Sequence, residues 1–493
     1  MRPVTARVYP GVRRDNVAGG MPVFPPGPSE PPIVQTMRWL LRPISFLESC
    51  RRRFGDVFSV QFMGFETPMV MLSDPEAIRA LFTAKGHGLP PGRTVALQPV
   101  VGARSLLLLE GREHLERRKL MLPPFHGERM RAYEATVADV VARDIDTWPE
   151  GEPFALHPHM QAVTLEVILR AVFGVTDEDR RAQLAERLAG LLSSSTSVWL
   201  QFRVLFARNL GGPDPLEHLQ VLLRDIDALL AAEIAERRAD PREDILSLLV
   251  SARFEDGEPM DDTEIRDQLM TLLLAGHETT ATALAWTFDL LLRHPEVLER
   301  LLAAVDEGDD AYTRAVVSES LRLRPVVPLA GRRLSSELRA DGHVLAPGTD
   351  VTPAIWLAHT RPDRYPEPYA FRPERFLESG PATYSWVPFG GGVRRCIGAA
   401  FAEMEMRVAL GEILRRRTLR AVSGAPERVA RRNVTFSPRH GTRVVATRRA
   451  GYSVRLNSKM AIASMRAPSA ATTAASTSPG TRQPNQVTPG SSA

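Results

Sequence analysis

The segment FGGGVRRCIG, residues 389–398, decides the fold and contains one of only two cysteines among 493 residues. Three glycines precede Cys396, and an amphipathic helical pattern follows it from Ile397 to about Arg417. Because the N-terminus of a helix favours an anion, this position predicts a lowered pKa for the thiol. Glycines allow backbone N–H groups to approach the sulfur and hold a thiolate. A thiolate is one of the few axial ligands that a protein offers to haem iron.

Five positions of this segment carry a resemblance to a known family. Phe389, Gly392, Arg394, Cys396 and Gly398 fit the pattern F-x-x-G-x-R-x-C-x-G at every fixed position, which is the haem-binding signature of the cytochrome P-450 superfamily. A phosphate-binding loop fits less well, because no Lys-Ser or Lys-Thr pair follows the glycines. A Gly-rich surface loop with an incidental cysteine is the remaining alternative.

The resemblance covers about residues 24–449 and implies a specific architecture and cofactor. It implies a mainly α fold with small β-sheets (α+β), built as a single large haem domain that binds haem b. In that domain Cys396 is the axial ligand of the haem iron, and Phe389, Gly392 and Gly398 shape its loop. Residues 1–23 are then expected to be a flexible extension. Residues 451–493, rich in Ser, Thr, Ala, Pro and Gly, are expected to be a disordered tail.

Composition excludes several other classes of protein. The net charge of +4 indicates no strong attraction to nucleic acid, and the hydrophobic fraction of 44% is ordinary for a globular chain. Residues 1–20 carry four arginines and no apolar stretch, and no run of 18 apolar residues occurs in the chain. We therefore expect neither a secretory signal nor a membrane span. Because a membrane-bound relative would need such an anchor, its absence favours a soluble protein of bacterial type. Two cysteines form no disulfide framework, which favours a reducing compartment and hence a cytoplasmic location.

A long helical pattern over residues 261–294 is interrupted in its middle by AGHETT, residues 275–280. A glycine inside a helix costs about 1 kcal/mol relative to alanine. Threonines can hydrogen-bond to the preceding turn and bend the helix. Such misfits in a long buried helix often mark a functional site. The plainer alternative is a helix kink with a solvated glutamate.

This interruption resembles the family's A/G-G-x-D/E-T-T/S motif. The resemblance implies that Glu278 and Thr279 deliver protons while dioxygen is activated, because a carboxylate can relay protons from solvent to a hydroxyl. Ala275 and Gly276 are then expected beside the cofactor. His277 falls at the variable position of the motif, and we expect it in or beside the pocket rather than as a ligand.

A second set of charged residues resembles a structural motif of the family. Glu319 and Arg322 form an E-x-x-R pair on one helix face, which alone is weak evidence because surface pairs of this kind are common. The segment FRPERF, residues 371–376, resembles the family's P-E-R-F segment, whose arginine is Arg375 here. The resemblance implies a buried triad of Glu319, Arg322 and Arg375 that supports the cysteine loop.

The two propionates of haem need basic partners, and several candidates lie where the family places them. His114 and Arg118 match its W/H-x-x-x-R pattern, and Arg394 lies in the cysteine loop. Arg332 lies where the family often has a propionate-binding arginine. Its neighbour Arg333 is the rival, and the sequence does not decide between the two. For each arginine, a solvated side chain is the alternative.

The resemblance also implies the partners of the protein. Substrate selection in the family depends on residues 88–110 and 186–214, which are apolar enough here for a small apolar organic substrate. Most of their apolar residues could equally belong to the hydrophobic core. Arg394, Arg395 and the run Arg415–Arg417 would form a basic face for a ferredoxin or flavodoxin with its reductase. A charged helix end is an equally good interpretation of that run.

Three classes of function follow from these observations. The first is a monooxygenase that inserts one atom of O2 into its substrate with two electrons from NAD(P)H through separate redox proteins. The second is the same fold with peroxygenase or other haem chemistry, against which the intact Glu278 and Thr279 pair argues. The third is a non-catalytic haem-binding protein, although such a sensor usually carries an output module.

Overall fold

A computed structural model describes residues 24–84, 86–89, 93–125, 127, 129–195, 217–380, 382–432 and 434–450. The described residues up to Arg448 belong to one compact unit. The predicted N-terminal extension and the predicted disordered tail lie outside the described residues. Among the described helices, none is both long and apolar enough to span a bilayer.

Helices make up most of the described chain. Proline occupies the first turn of several of them, where its missing N–H has no intrahelical partner to lose. They are α1 (Pro32–Leu41), α2 (Pro43–Phe54), α3 (Pro75–Thr83), α4 (Arg93–Val101), α5 (Gly111–Met121), α6 (Arg129–Ile145), α7 (Leu156–Val167) with a π-helical turn at Ile168–Val172, α8 (Glu178–Ser195), α9 (Glu217–Ala239), α10 (Ile245–Ser251), α11 (Asp262–Leu291), α12 (Pro295–Glu307), α13 (Asp310–Leu323), α14 (Ile355–His359), α15 (Arg375–Glu378) and α16 (Ala399–Arg416).

Short strands form four small sheets. The largest has the order β1-β2-β7-β4, with β2 and β7 parallel and the other pairs antiparallel; the rest are β3-β11-β8, β9-β10 and β5-β6. The strands are β1 (Val57–Val60), β2 (Met69–Leu72), β3 (Pro153–Ala155), β4 (Arg332–Arg333), β5 (Leu338–Ala340), β6 (His343–Leu345), β7 (Asp350–Pro353), β8 (Arg417–Ala421), β9 (Val429–Arg432), β10 (Thr435–Pro438) and β11 (Arg443–Arg448). This mainly helical architecture confirms the predicted fold class.

Helix α11 runs through the main hydrophobic core. Asp261 caps it by accepting a hydrogen bond from the Glu264 N–H at 2.8 Å. Most of its residues are buried, and it packs along α7, α13 and α16. The helix ends at Leu291, three residues before the predicted end, and Pro295 begins α12. This central helix is therefore fixed on several sides, which suits it to position functional groups.

Candidate active site

The loop before α16 is closed on itself around Cys396. The Cys396 N–H donates to the Phe389 carbonyl at 2.9 Å, and the Arg395 N–H donates to the Gly392 carbonyl at 3.1 Å. Gly390 and Gly392 have φ angles of +66° and +65°, a region that residues with a side chain rarely occupy. The glycines therefore allow the tight turn that presents Cys396 just ahead of the helix.

Contact with helix α3 leaves no room for a side chain at Gly391 or Gly392. A Cβ atom on Gly392 would lie 2.1 Å from the backbone carbonyl oxygen of Phe82, and one on Gly391 would lie 2.3 Å from the Phe82 ring. Both distances are far below van der Waals contact. The loop thus lies directly against the end of α3, and this contact fixes its position.

The Cys396 thiol has an exposed surface, but protein surrounds it on its other sides. Desolvation raises its pKa above the ordinary value. The Gly398 N–H and the charges of Arg118 and Arg395 act in the opposite direction and are outweighed. The prediction of a lowered pKa is therefore wrong for the protein alone, because the sequence pattern does not include desolvation. A metal ion reverses this balance, since a coordinating thiol is deprotonated outright.

Four basic side chains lie together near this loop. His114 on α5 is buried, and its pKa is lowered to about 4, first by desolvation and then by the positive charges of Arg394, Arg118 and Arg332. Desolvation lowers the pKa of Arg118, and the negative charge of a Cys396 thiolate acts in the opposite direction. Arg394 donates to the carbonyl oxygen of Leu109. The structure therefore brings together the four residues that the sequence proposed as anionic-group ligands.

Arg332 and Arg333, the two candidates for binding a propionate, are successive residues of strand β4. Arg333 makes a bidentate ion pair with Asp350 on β7, with both N–O distances 2.8 Å. Arg332 points to the opposite face of the strand, as successive strand residues do. Its guanidinium lies 5.6 Å from the centre of the Phe82 ring, within the group around His114. Arg332 is thus the arginine of this pair that lies at the candidate site.

The three predicted triad residues are in contact beneath the cysteine loop. Arg322 Nε and Nη2 donate to Glu319 at 2.7 and 2.8 Å, and neither side chain has exposed surface. Arg375 Nε donates to the same carboxylate at 3.1 Å. The three further N–H groups of Arg322 bond backbone carbonyls, among them that of His359 at 2.8 Å. The cluster therefore ties α13 to the chain that precedes the loop.

His359 connects this cluster to the cysteine loop, a role that the sequence analysis missed. Its Nδ1 lies 3.1 Å from the Arg322 carbonyl oxygen, and its Nε2 accepts the Val387 N–H at 2.8 Å. This arrangement requires a neutral ring with the proton on Nδ1. Complete burial lowers the pKa of His359 to about 3, which keeps it neutral. No local sequence signal marks this residue, because its partners are distant in the chain.

The AGHETT segment forms an opening in the otherwise buried face of α11. Ala275 is exposed, and the Thr279 hydroxyl donates to its carbonyl at 2.6 Å. The side chain of Thr280 bonds Glu405 on α16, nine positions after Cys396. Helix α11 therefore passes over the beginning of α16. His277 is buried, and desolvation lowers its pKa to about 4.

One donor from α7 and one from α11 hold the carboxylate of Glu278. Gln161 Nε2 donates to Oε2 at 2.6 Å, and the Thr282 hydroxyl donates to Oε1 at 3.3 Å. Thr164 donates to the His277 carbonyl at 3.0 Å, which anchors α7 to the interrupted turn. The sequence analysis missed these α7 residues, since nothing in their own segment distinguishes them from ordinary helix positions.

The loop between α4 and α5 is fastened to α11. The Gln268 amide accepts the Leu106 N–H at 3.1 Å and donates to the Arg104 carbonyl at 2.6 Å. The hydroxyls of Ser105 and Thr271 lie 2.6 Å apart. This part of the predicted substrate-selecting region is therefore a fixed wall. Of the second predicted region, residues 196–214 lie outside the described part of the chain.

The basic run Arg415–Arg417 does not lie beside Cys396. At about 1.5 Å per residue, the length of α16 separates it from the cysteine loop by roughly 25 Å. Arg416 bonds Glu412 at 3.2 Å, Arg417 bonds the Ile145 carbonyl at 3.0 Å, and Arg415 lines a separate groove of about 390 Å³. The run and the cysteine loop therefore lie at opposite ends of α16, and the shared basic face stays a prediction.

The donor set fits an iron porphyrin. A single thiol stands in a glycine loop that leaves open space at Gly398, where an added Cβ meets no atom within 4 Å. The cluster of His114, Arg118, Arg332 and Arg394 supplies positive charge for two carboxylates.

Comparison with known proteins agrees with this chemistry. The family model for cytochrome P450 matches residues 25–440. Cytochrome P450 135B1 of Mycobacterium bovis is 41% identical over 437 residues, which cover 85% of this chain and 91% of that protein. Cytochrome P450 137 of Mycobacterium tuberculosis is 40% identical over 398 residues, covering 80% and 83%. Neither name states a substrate.

Solved structures show the same fold at lower identity. Retinoic acid-bound cyanobacterial CYP120A1 superposes with a TM-score of 0.74 at 24% identity, covering 87% of this chain and all of that one. The haem domain of cytochrome P450DA gives a TM-score of 0.75, also at 24% identity, covering 87% and 98%. Proteins of the matched family bind haem b and are monooxygenases. From its sequence match over residues 25–440 and its identity to these mycobacterial proteins, the chain belongs to the cytochrome P450 family.

Proposed function

We propose that this protein inserts one oxygen atom of O2 into a small apolar organic substrate. Two electrons come from NAD(P)H through a separate ferredoxin or flavodoxin and its reductase. The observation that carries this proposal is the combination of a loop thiol, a basic cluster and an opening in α11 at Glu278 and Thr279. The family match over residues 25–440 supports the use of redox partners. Two free cysteines support a reducing, cytoplasmic location.

The residues of the loop and the basic cluster have distinct roles in this proposal. When bound, haem b supplies the redox-active iron that activates dioxygen. Cys396 would hold its iron through the sulfur, and Phe389, Gly392 and Gly398 would keep the loop open around that sulfur. His114, Arg118, Arg332 and Arg394 would bind the propionates, whose charges would relieve the repulsion among the three arginines.

Glu278 and Thr279 move protons in this proposal. The Thr279 hydroxyl donates to the Ala275 carbonyl, so its oxygen keeps lone pairs that accept a hydrogen bond from the pocket side. Glu278 has about a fifth of its side chain exposed, which allows exchange of protons with solvent. Ala275 carries a small side chain that leaves room beside the cofactor. A Cβ atom on Gly276 would instead lie 3.2 Å from the Ile168 side chain, so the absent side chain of this glycine makes room for the π-helical turn. The buried Glu319, Arg322 and Arg375 support the loop from below.

The proposal is tested by measuring product formed per O2 consumed in Thr279→Ala. The substrate comes from a screen of apolar compounds for a change in the haem spin state. We expect oxygen use to continue while product formation falls by about 10²-fold, the lower end of what a positioned proton donor contributes. Thr287→Ala is the matched control, because it removes an equivalent bond to the Ala283 carbonyl at 2.8 Å on the same helix. An unchanged ratio in Thr279→Ala would contradict the assignment.

A further inference from the structure

Two pairs of residues face each other across the contact between α7 and α11. His157 and Gln161 are four apart on α7, and Glu278 and Thr282 are four apart on α11, so each pair occupies one helix face. Gln161 Nε2 lies 2.6 Å from Glu278 Oε2, and His157 Nε2 lies 3.1 Å from Thr282 Oγ1. The four side chains form one hydrogen-bonded group.

Counting donors fixes the direction of these bonds. The Thr282 hydroxyl has one hydrogen, which it donates to Glu278 Oε1 at 3.3 Å. His157 Nε2 must then donate to the Thr282 oxygen, which requires the tautomer with its proton on Nε2. His157 Nε2 also lies 3.6 Å from Glu278 Oε1. Each carboxylate oxygen of Glu278 therefore receives a side-chain donor, Oε2 from Gln161 and Oε1 from Thr282, and His157 in turn holds Thr282.

The hydrogen-bonded group runs from the buried His157 and Thr282 to the partly exposed Glu278. His157 is 1% exposed and Thr282 is fully buried, whereas the Glu278 side chain is 19% exposed. Desolvation lowers the pKa of His157 to about 3, with smaller contributions from Arg432 and His277. The ring is thus neutral at physiological pH and acts as a hydrogen-bond donor, not as a cation. Because its donors lie on the buried side, the Glu278 carboxylate keeps one orientation toward the opening of α11.

We propose that Gln161, together with the His157 and Thr282 pair, positions the Glu278 carboxylate for proton delivery. The inference rests on the proposed function, because it assigns a role to residues that act through Glu278. The three residues touch neither the substrate nor the cofactor in this account. They limit the rotamers of Glu278, and a misplacement of about 1 Å in a reacting group can cost about 10²-fold in rate.

The test uses the full-length haem-loaded protein with a plant-type ferredoxin, its reductase and NADPH, and measures O2 consumption without added substrate in H2O and D2O. Gln161→Met keeps the length of the side chain but removes the donor. We expect about a tenfold lower rate and a larger solvent isotope effect in this variant, with haem content and the carbon monoxide spectrum unchanged. Gln161→Glu should lose more, because it places a second carboxylate against Glu278.

A double-mutant cycle separates positioning from a general effect on the fold. Glu278→Gln alone should lower the rate by about 10²-fold, and adding Gln161→Met should lower it no further. The melting temperatures of the same four proteins give a readout that is independent of activity, and the two substitutions should be non-additive there as well. His159→Gln is the control on α7, because its ring contacts Asp144 at 3.3 Å instead. This control should behave as the wild type.

The possible results distinguish a failure of the positioning role from a failure of the proposed function. A wild-type rate in Gln161→Met together with an impaired Glu278→Gln would overturn the positioning role and leave the proposed function intact. A wild-type rate in Glu278→Gln would overturn the proton-delivery assignment, and the positioning role with it. Additive effects on rate and melting temperature would also overturn the inference, because Gln161 would then act independently of Glu278.

Discussion

Replacing Glu319 with alanine should destabilise the protein and reduce its haem content. Glu319 holds two N–H groups of Arg322 and one of Arg375, and it also accepts the Arg372 N–H at 2.9 Å. In Glu319→Ala the Arg322 guanidinium stays fully buried with only neutral carbonyl partners. A buried charge that loses its partner costs much more than an exposed one.

The size of the effect follows from burial and from the length of the domain. Stranding one member of a buried ionic cluster costs about 3–5 kcal/mol. An unfolding entropy of about 2.1 cal/mol/K per residue gives about 0.9 kcal/mol/K for the roughly 425 residues from 24 to 448. The melting temperature should therefore fall by about 3–6 °C. Haem should be lost as well, because the contacts run from Arg322 through His359 to Val387 at the base of the cysteine loop.

The assay is thermal unfolding together with the ratio of haem to protein after purification. Arg314→Ala on the same helix is the matched control, because its pair with Asp310 is exposed and 3.9 Å apart. That variant should change stability by less than about 1 kcal/mol. Glu319→Gln keeps the size and an acceptor oxygen and should fall between the two. Normal haem content and an unchanged melting temperature in Glu319→Ala would refute the supporting role of the cluster.

Three further predictions concern the loop, the basic cluster and acid stability. Gly392→Ala should abolish haem retention, because the added Cβ would overlap the Phe82 carbonyl. Gly390→Ala has open space for its Cβ and should lower the free energy of unfolding by only about 1–2 kcal/mol, because of the positive φ. Arg332→Gln should speed the transfer of haem to apomyoglobin, whereas Arg333→Gln should leave that rate unchanged; equal rates would contradict the propionate assignment. Burial lowers the pKa of His359 to about 3. Below pH 6.5 the unfolded state therefore takes up a proton on that ring, whereas the folded state does not. The free energy of unfolding should fall as the pH drops from 6.5 toward 3. The loss is about 2 kcal/mol at pH 5, and urea unfolding should show a flatter pH dependence in His359→Gln.

The parts of the site that the sequence predicted are those in which local backbone geometry restricts residue type. Gly392 combines a positive φ with a contact that excludes a Cβ atom, so its position in the loop pattern has a direct steric cause. Helix α11 could be predicted because Asp261 and Pro295 mark its limits and apolar residues recur along it. Charge spacing placed Glu319 and Arg322 on one face for the same local reason.

The parts that the sequence did not predict depend on contacts between distant segments. Gln161 and Glu278 are 117 positions apart, and His359 meets Val387 and Arg322 from a different helix. Arg332 could not be distinguished from Arg333 because the choice depends on which face of β4 meets Asp350. The pKa of the Cys396 thiol was predicted in the wrong direction because desolvation depends on packing that a linear pattern does not contain.

The central claim is that Cys396 provides the thiolate ligand of the haem iron. The most direct measurement is the absorption spectrum of the dithionite-reduced protein under carbon monoxide, for the wild type, Cys396→Ser and Cys50→Ser. The account predicts a strongly red-shifted Soret band in the wild type and in Cys50→Ser, whose thiol lies on α2 and is buried in a separate hydrophobic cluster. It predicts that Cys396→Ser lacks this band. A wild-type band at the position typical of histidine-ligated haem, or a red-shifted band that persists in Cys396→Ser, would contradict the account.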